Sequence, residues 1–126
     1  MELQVDGKKV FAATGGKPFD PGQPVVIFVH GAGMDHTIWA LQTRWFAWHG
    51  RSVLAVDLPG HGKSDGPALE SIDEIGAWLV RLVEATGAPS ASLVGHSMGS
   101  LASLSAGSTG GERIAALALL GVGAEM

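Results

Sequence analysis

An unbroken apolar run, Pro24-Val25-Val26-Ile27-Phe28-Val29, is the feature that most constrains how this chain can fold. Mostly β-branched residues without polar alternation are typical of a strand that is buried on both faces of a parallel sheet. Parallel strands need crossover connections, which are usually helices, and those helices cover the two faces of the sheet. The run therefore predicts an α/β fold built on a mostly parallel sheet with flanking helices.

The segments around this run predict the other elements that such a fold requires. Ser71 and Glu74 form a capping box that starts one helix, and Gly87 ends it before Pro89. Strands that alternate with helices of this length form right-handed βαβ units, here preceded by an antiparallel hairpin at the N-terminus. We expect strands at 3–5, 9–13, 24–29, 51–58, 91–95 and 114–120, and helices at 37–48, 72–86 and 97–106.

The helix predicted at 37–48 carries a regular apolar spacing. Its large apolar residues recur at intervals of three and four, at Ile38, Leu41, Trp45 and Trp48. Such spacing places side chains on one face of a helix. We therefore expect these four residues to form the face that packs against the core.

Composition limits the class of protein. The chain has 126 residues, a length that suits one domain, and 46% of them are hydrophobic. A formal net charge of −4 gives no basic footprint for nucleic acid. The chain has no cysteine, no signal-peptide pattern at its N-terminus, and no apolar run near the roughly 20 residues of a membrane helix. We expect a cytoplasmic protein with neither a nucleic-acid nor a membrane partner.

The sequence Gly95-His96-Ser97-Met98-Gly99 matches the pattern G-x-S-x-G, with an apolar strand before it and a helix after it. A serine on a sharp strand-to-helix turn adopts strained dihedral angles, and the two glycines leave room where side chains would collide. The turn raises the serine hydroxyl above the edge of the sheet, and the N–H of Met98 points toward the same space. The motif predicts that Ser97 is a nucleophile and that Met98 contributes to an oxyanion hole.

Three motifs together resemble landmarks of the α/β-hydrolase superfamily, in their usual order and spacing. They are His30-Gly31-Ala32-Gly33 with Trp39, Asp57-Leu58-Pro59-Gly60-His61-Gly62-Lys63-Ser64, and Gly95-His96-Ser97-Met98-Gly99. The resemblance covers residues 24–121 and implies a serine hydrolase that acts on a small molecule with an ester-like or other carbonyl group. It also implies that Ser97 is the nucleophile and that the oxyanion hole combines the N–H groups of Ala32 and Met98.

The catalytic acid and histidine that the resemblance implies should follow the serine in that order. After Ser97 the sequence holds only two carboxylates, Glu112 and Glu125, and no histidine. Glu112 precedes the last predicted strand, at the wrong end of the sheet. His30 and His96 do not match the family's base, and we expect structural hydrogen bonds for both. We therefore expect residues 1–126 to be the N-terminal part of a single domain, close to inactive alone.

Two other functions stay open at this point. One is a non-enzymatic binding or interaction module that retains the fold, and the other is hydrolysis of a C–C bond by the same fold. Nucleotide binding is disfavoured, because the first glycine of a phosphate-binding loop ending in Gly62-Lys63-Ser64 is replaced by Asp57. The histidine spacings match no metal motif. We expect neither a cofactor nor a metal.

The last predicted strand, 114–120, is almost wholly apolar. In a chain that ends soon after it, this strand has no outer neighbour, and exposed apolar edges pair with other chains. We therefore expect self-association, or a complementing half of the fold, at this strand.

Overall fold

A computed structural model describes residues 1–121 of the chain. The described residues form six strands, three α-helices and two short 3₁₀ turns. The strands are β1 (Glu2–Val5), β2 (Lys8–Ala13), β3 (Val25–Val29), β4 (Ser52–Val56), β5 (Ala91–His96) and β6 (Ile114–Leu120). The helices are α1 (Ala40–Ala47), α2 (Ile72–Thr86) and α3 (Met98–Thr109), and the 3₁₀ turns are His36–Trp39 and Gly111–Arg113.

All six strands lie in one sheet, in the order β1-β2-β4-β3-β5-β6. The pairs β3–β4, β3–β5 and β5–β6 are parallel, whereas β1–β2 and β2–β4 are antiparallel. Every residue of the central strand β3 is buried. These findings confirm the predicted α/β fold, the mostly parallel sheet and the N-terminal hairpin.

The two faces of the sheet pack against different helices. Ile27 and Val29 of β3 belong to a core that includes Leu79 and Leu82 of α2 and Ala102 of α3. The alternate residues of β3 point to the opposite face, because successive side chains along a strand alternate. There Val26 and Phe28 pack with Trp39 and with Ala47 of α1. The sheet is therefore covered by two helices on one face and by α1 on the other.

The predicted core face of the helix near 37–48 is wrong. Ile38, Leu41, Trp45 and Trp48 are 40%, 81%, 56% and 56% exposed. The buried residues are instead Trp39 in the 3₁₀ turn, and Thr43 and Ala47 in α1. Small residues are favoured on this face because the chain passes close to it: a Cβ on Gly15 would lie 2.8 Å from the Cβ of Ala47.

The ends of α2 agree with the capping signals. Ser71 is the N-cap, and its Oγ accepts a hydrogen bond from the backbone N–H of Glu74 at 3.1 Å. The Glu74 carboxylate, however, accepts the N–H of Glu70 at 3.3 Å, and not that of Ser71. Gly87 ends the helix with a positive φ of 80°, a conformation that glycine adopts without strain.

Strand β6 lies at the edge of the sheet, as predicted. Residues Ala115 to Ala118 are exposed, and Leu117 and Leu120 are 37% and 48% exposed. This edge is therefore apolar and open along most of its length. Within residues 1–121, none of the helices is long and apolar enough to cross a membrane.

Candidate active site

Ser97 occupies the turn between the end of β5 and the start of α3, with φ 56° and ψ −119°. Among residues 1–121, only Ser97 and Asp6 are non-glycine residues with positive φ. A residue in such a region costs on the order of 1–3 kcal/mol and persists only where its surroundings determine the conformation. The strain predicted for the serine of the G-x-S-x-G motif is therefore present at Ser97.

The glycines of the motif allow this turn to pack closely. A Cβ on Gly95 would lie 2.6 Å from the carbonyl carbon of Gly99 and 2.7 Å from the amide nitrogen of Ser100. A Cβ on Gly99 would lie 2.6 Å from the carbonyl oxygen of His30. These distances are too short for real Cβ atoms, so the residues at both positions must be glycine for the turn to keep its geometry.

Backbone hydrogen bonds also fix the turn. The N–H of Ser97 donates to the carbonyl oxygen of Leu120 at 2.9 Å, which ties the turn to the end of β6. The carbonyl oxygen of Ser97 accepts the N–H of Ser100 at 2.9 Å, as the first turn of α3 begins. Met98 is the first residue of that helix, where free N–H groups and the helix dipole favour negative charge.

The loop that follows β3 lies against Ser97. A Cβ on Gly31 would lie 3.2 Å from the Cβ of Ser97. Beyond Gly31 the chain turns, with the N–H of Met34 donating to the carbonyl oxygen of Gly31 at 3.2 Å and with Gly33 at a positive φ of 72°. Ala32 sits exposed in this turn. The structure thus brings the predicted residues Ser97, Met98 and Ala32 to the same end of the sheet.

His30 is held in place by hydrogen bonds from both ring nitrogens. Its Nε2 accepts the backbone N–H of Leu58 at 3.0 Å, so Nδ1 carries the proton and donates to the carbonyl oxygen of Gly31 at 2.7 Å. The ring is fully buried, and this burial lowers its pKa from the ordinary value of 6.5. His30 is therefore a neutral structural residue, as predicted from the sequence, and both nitrogens are occupied.

We expected structural hydrogen bonds for His96, but its Nδ1 forms none within residues 1–121. This atom is buried. Its ring meets that of Trp39 edge to face, with the centroids 6.4 Å apart. Packing against Trp39, in the 3₁₀ turn His36–Trp39, therefore holds the His96 ring.

Asp57 is a buried residue whose role the sequence did not reveal. Its side chain is fully buried and accepts three N–H groups: the backbone N–H of His36 at 2.7 Å, the His36 Nδ1–H at 2.9 Å, and the backbone N–H of Lys63 at 2.9 Å. A Cβ on Gly62 would lie 2.7 Å from its Oδ1. The loop Gly62-Lys63-Ser64 thus surrounds a carboxylate of the chain itself, which agrees with the argument against a phosphate site. Gly62 is the one signal that could have indicated this arrangement.

Within residues 1–121 the structure brings together one cluster with possible metal ligands, which the sequence spacings did not predict. Asp35, His36 and Asp57 each offer a ligand atom, and these atoms lie within 4.8 Å of one another. Both oxygens of Asp57 already accept N–H groups, and Oδ1 of Asp35 accepts the N–H of Thr37 at 2.9 Å. Hydrogen bonding within the protein accounts for this cluster.

The carboxylates after Ser97 do not approach it in the described part of the chain. Glu112 lies in the 3₁₀ turn before β6, at the end of the parallel strands opposite to Ser97. This agrees with the prediction that Glu112 is on the wrong side of the sheet. Glu125 lies outside the described residues.

Comparison with known proteins agrees with this fold. The family model described as alpha/beta hydrolase fold matches residues 24–125, and this chain belongs to that family. Epoxide hydrolase A of Mycobacterium tuberculosis (strain ATCC 25618 / H37Rv) is 39% identical over 106 residues, which are 82% of this chain and 33% of that protein. The (E)-2-((N-methylformamido)methylene)succinate hydrolase of Acinetobacter baylyi (strain ATCC 33305 / BD413 / ADP1) is 35% identical over 81 residues, 64% of this chain and 30% of that protein.

Solved structures give the same result. The crystal structure of epoxide hydrolase A from Mycobacterium thermoresistibile superposes with a TM-score of 0.80 at 27% sequence identity, covering 94% of this chain and 37% of that one. The chain therefore spans about a third of the length of the curated relatives and of this solved structure. Its relatives include hydrolases. The match to the family model, residues 24–125, contains β3, β4 and β5.

Proposed function

We propose that this chain is the nucleophile-bearing part of a serine hydrolase that acts on a small molecule with an ester-like or other carbonyl group. One observation carries the proposal: Ser97 has φ 56° and ψ −119° on a strand-to-helix turn that two close-packed glycines make possible. A protein maintains such strain where it serves a function. The family supports the hydrolytic reaction, and the serine supports covalent catalysis.

The proposed reaction begins with attack of Ser97 Oγ on the carbonyl carbon. The N–H of Met98 and the N–H of Ala32 donate to the oxyanion that develops, and the N-terminus of α3 adds a favourable electrostatic potential. The leaving group departs as the acyl-enzyme forms, and water then releases the acid. Each of these residues lies at the carboxyl end of β3 or β5, where loops of parallel sheets present ligands.

Proton transfer is the step for which this chain offers no residue of the expected type. No histidine follows Ser97, and the five histidines lie at positions 30, 36, 49, 61 and 96. His30 cannot serve, because both of its ring nitrogens are hydrogen-bonded and buried. A serine without a base retains the low nucleophilicity of an alcohol, although an oxyanion hole and binding alone leave about 10³–10⁴-fold acceleration over water. We therefore propose that the chain by itself is close to inactive.

A hydrolysis assay with p-nitrophenyl acetate tests this part of the proposal. The chain and its Ser97→Ala variant should release p-nitrophenol at the same background rate. Robust turnover that disappears in Ser97→Ala would contradict the proposed inactivity.

A fluorophosphonate probe tests the nucleophile separately, because it reports one covalent event and needs no turnover. Without a base this reaction is slow, but the probe is far more electrophilic than an ester and the oxyanion hole still favours attack. After prolonged incubation we therefore expect a phosphonyl adduct on Ser97, identified by peptide mass spectrometry, and no adduct at this position in Ser97→Ala. The buried Ser103 in the same helix provides a control, since Ser103→Ala should leave the adduct unchanged. Equal labelling of Ser97 and of exposed serines would contradict the proposal.

We also propose that the open edge of β6 is where the chain associates with another polypeptide, either a second copy or a complementing half of the fold. The support is the exposed apolar strand Ile114–Leu120, which has a neighbour on one side within the described residues. Edge strands of this kind offer free backbone N–H and C=O groups to a further strand.

A further inference from the structure

A serine in the first turn of α3 contacts the Ser97 turn from within the core. Ser100 is fully buried, and its Oγ lies 2.8 Å from the carbonyl oxygen of Gly95 and 2.6 Å from that of Leu120. The same Oγ accepts the backbone N–H of Leu120 at 3.1 Å. A hydroxyl can donate one proton and also accept hydrogen bonds, so the Ser100 hydroxyl can bind the ends of both β5 and β6.

Leu120 connects this serine with Ser97. It is the last residue of β6, and its carbonyl oxygen also accepts the N–H of Ser97 at 2.9 Å. The N–H of Leu120 therefore donates to Ser100 Oγ, and its carbonyl oxygen accepts the N–H of Ser97. The single hydroxyl proton of Ser100 is shared between the carbonyl oxygens of Leu120 and Gly95. Within the described residues β6 is an edge strand and pairs with β5 alone. The contacts of its last residue with Ser97 and Ser100 therefore help to keep its end beside β5.

We propose that Ser100 is a positioning residue for Ser97. By hydrogen-bonding to Leu120 and to the end of β5, Ser100 fixes the carbonyl oxygen of Leu120. That oxygen accepts the N–H of Ser97, the residue with the strained backbone. The importance of these hydrogen bonds for catalysis rests on the proposed function of Ser97, whereas the hydrogen bonds themselves do not depend on it. Without the hydroxyl, Leu120 loses its side-chain anchor, and the Ser97 N–H loses a fixed acceptor.

Ser103 is a matched control for this proposal. It lies on the same helix three residues further along, is equally buried, and its Oγ has no hydrogen-bond partner among residues 1–121. Ser100→Ala and Ser103→Ala thus remove the same atom from equally buried positions. Only the first substitution removes contacts with Leu120 and Gly95.

Amide hydrogen exchange followed by NMR measures the effect on the turn directly. Relative to the α2 amides, the Ser97 and Leu120 amides should lose protection by about tenfold in Ser100→Ala, because each depends on a hydrogen bond at this junction. Ser103→Ala should leave both within about twofold of the original chain. The amide chemical shifts of Ser97 and Met98 should also change in Ser100→Ala and not in Ser103→Ala. A loss of protection shared equally by α2 would overturn the proposal.

Fluorophosphonate labelling supplies the functional readout under conditions where all variants are folded. Ser100→Ala should label Ser97 at least about fivefold more slowly, and Ser103→Ala at the original rate. An unchanged labelling rate in Ser100→Ala would overturn the proposal. If the original chain gives no Ser97 adduct, the proposed nucleophile fails, and the exchange data alone decide whether Ser100 fixes the turn.

Ser100→Cys provides a second, somewhat larger variant with a much weaker hydrogen-bonding group. If Ser100→Ala does not fold, the same exchange and labelling measurements on Ser100→Cys decide the question, with the same expected losses. If neither variant folds while Ser103→Ala does, the role of Ser100 is structural alone and the proposal is wrong.

Discussion

Gly99 packs against the carbonyl oxygen of His30 so closely that a Cβ at position 99 would lie 2.6 Å from it. This contact joins the start of α3 to the end of β3. It fixes the distance between the Ser97 turn and the loop that contains Ala32. The packing of one glycine therefore determines whether the two halves of the proposed oxyanion hole can meet.

Gly99→Ala should lower the free energy of unfolding by about 1–3 kcal/mol or more, because backbone atoms surround the new methyl group and cannot move aside cheaply. The matched control is Gly107→Ala on the same helix. Its Cβ would meet the Cδ1 of Leu117, the end of a flexible and partly exposed side chain. We expect Gly107→Ala to be neutral, or to gain up to about 1 kcal/mol from helix propensity. Urea denaturation compares the two, and equal effects would contradict the account.

Asp57→Asn should destabilise the chain by about 1–3 kcal/mol, because an amide NH₂ replaces one acceptor among N–H donors from His36 and Lys63. The control is Asp65→Asn in the same loop, where an exposed carboxylate accepts the N–H of Lys9. That change should cost less than about 1 kcal/mol. Urea unfolding free energies at neutral pH measure both. A cost for Asp57→Asn no larger than for Asp65→Asn would show that the buried carboxylate is not an anchor.

Stability should fall as the pH decreases from 7 to 5, in part because of His30. Burial lowers the folded pKa of His30 below its ordinary value of 6.5, so the unfolded chain binds more protons between the two pKa values. The contribution of His30 to stability is therefore complete above about pH 6.5 and is lost as the pH falls below it toward the folded pKa. The slope of unfolding free energy against pH should be shallower in His30→Gln than in the original chain. Identical slopes for His30→Gln and the original chain would refute this.

Ala118→Lys should reduce self-association through β6, because a charge on an exposed edge strand discourages pairing. Ala77→Lys makes the same substitution at an exposed position of α2 and should have no effect. Light scattering at tens of micromolar compares the molar masses. A monomeric original chain, or equal masses in all three proteins, would argue against association through this strand.

The features that the sequence predicted correctly depend on local patterns. The run at β3 is apolar along its whole length, and burial on both faces of a central parallel strand requires that pattern. The Ser97 turn was equally predictable, because the two glycines that it needs lie two residues away on either side. Capping at Ser71 and Gly87 is also a local property of the helix ends.

The errors arise where distant segments decide the outcome. The segment 37–48 contains two stripes with helical spacing: one of large apolar residues, and one formed by Trp39, Thr43 and Ala47. Close approach of Gly15 favours small residues at Thr43 and Ala47 of the second stripe, and the sequence gives no sign of that contact. The contact of Asp57 with His36 is likewise unpredictable from local sequence, since His36 lies 21 residues away in the chain.

A crystal structure of the chain after reaction with a fluorophosphonate tests the central claim most directly. The reaction joins phosphorus to Ser97 Oγ as fluoride leaves and the hydroxyl proton passes to water. The phosphonyl oxygen then occupies the position of the oxyanion. We predict that this oxygen lies about 2.7–3.1 Å from the amide nitrogens of both Ala32 and Met98. An adduct on another serine, or a phosphonyl oxygen directed away from these two amides, would contradict the claim that Ser97 is a nucleophile held beside an oxyanion hole.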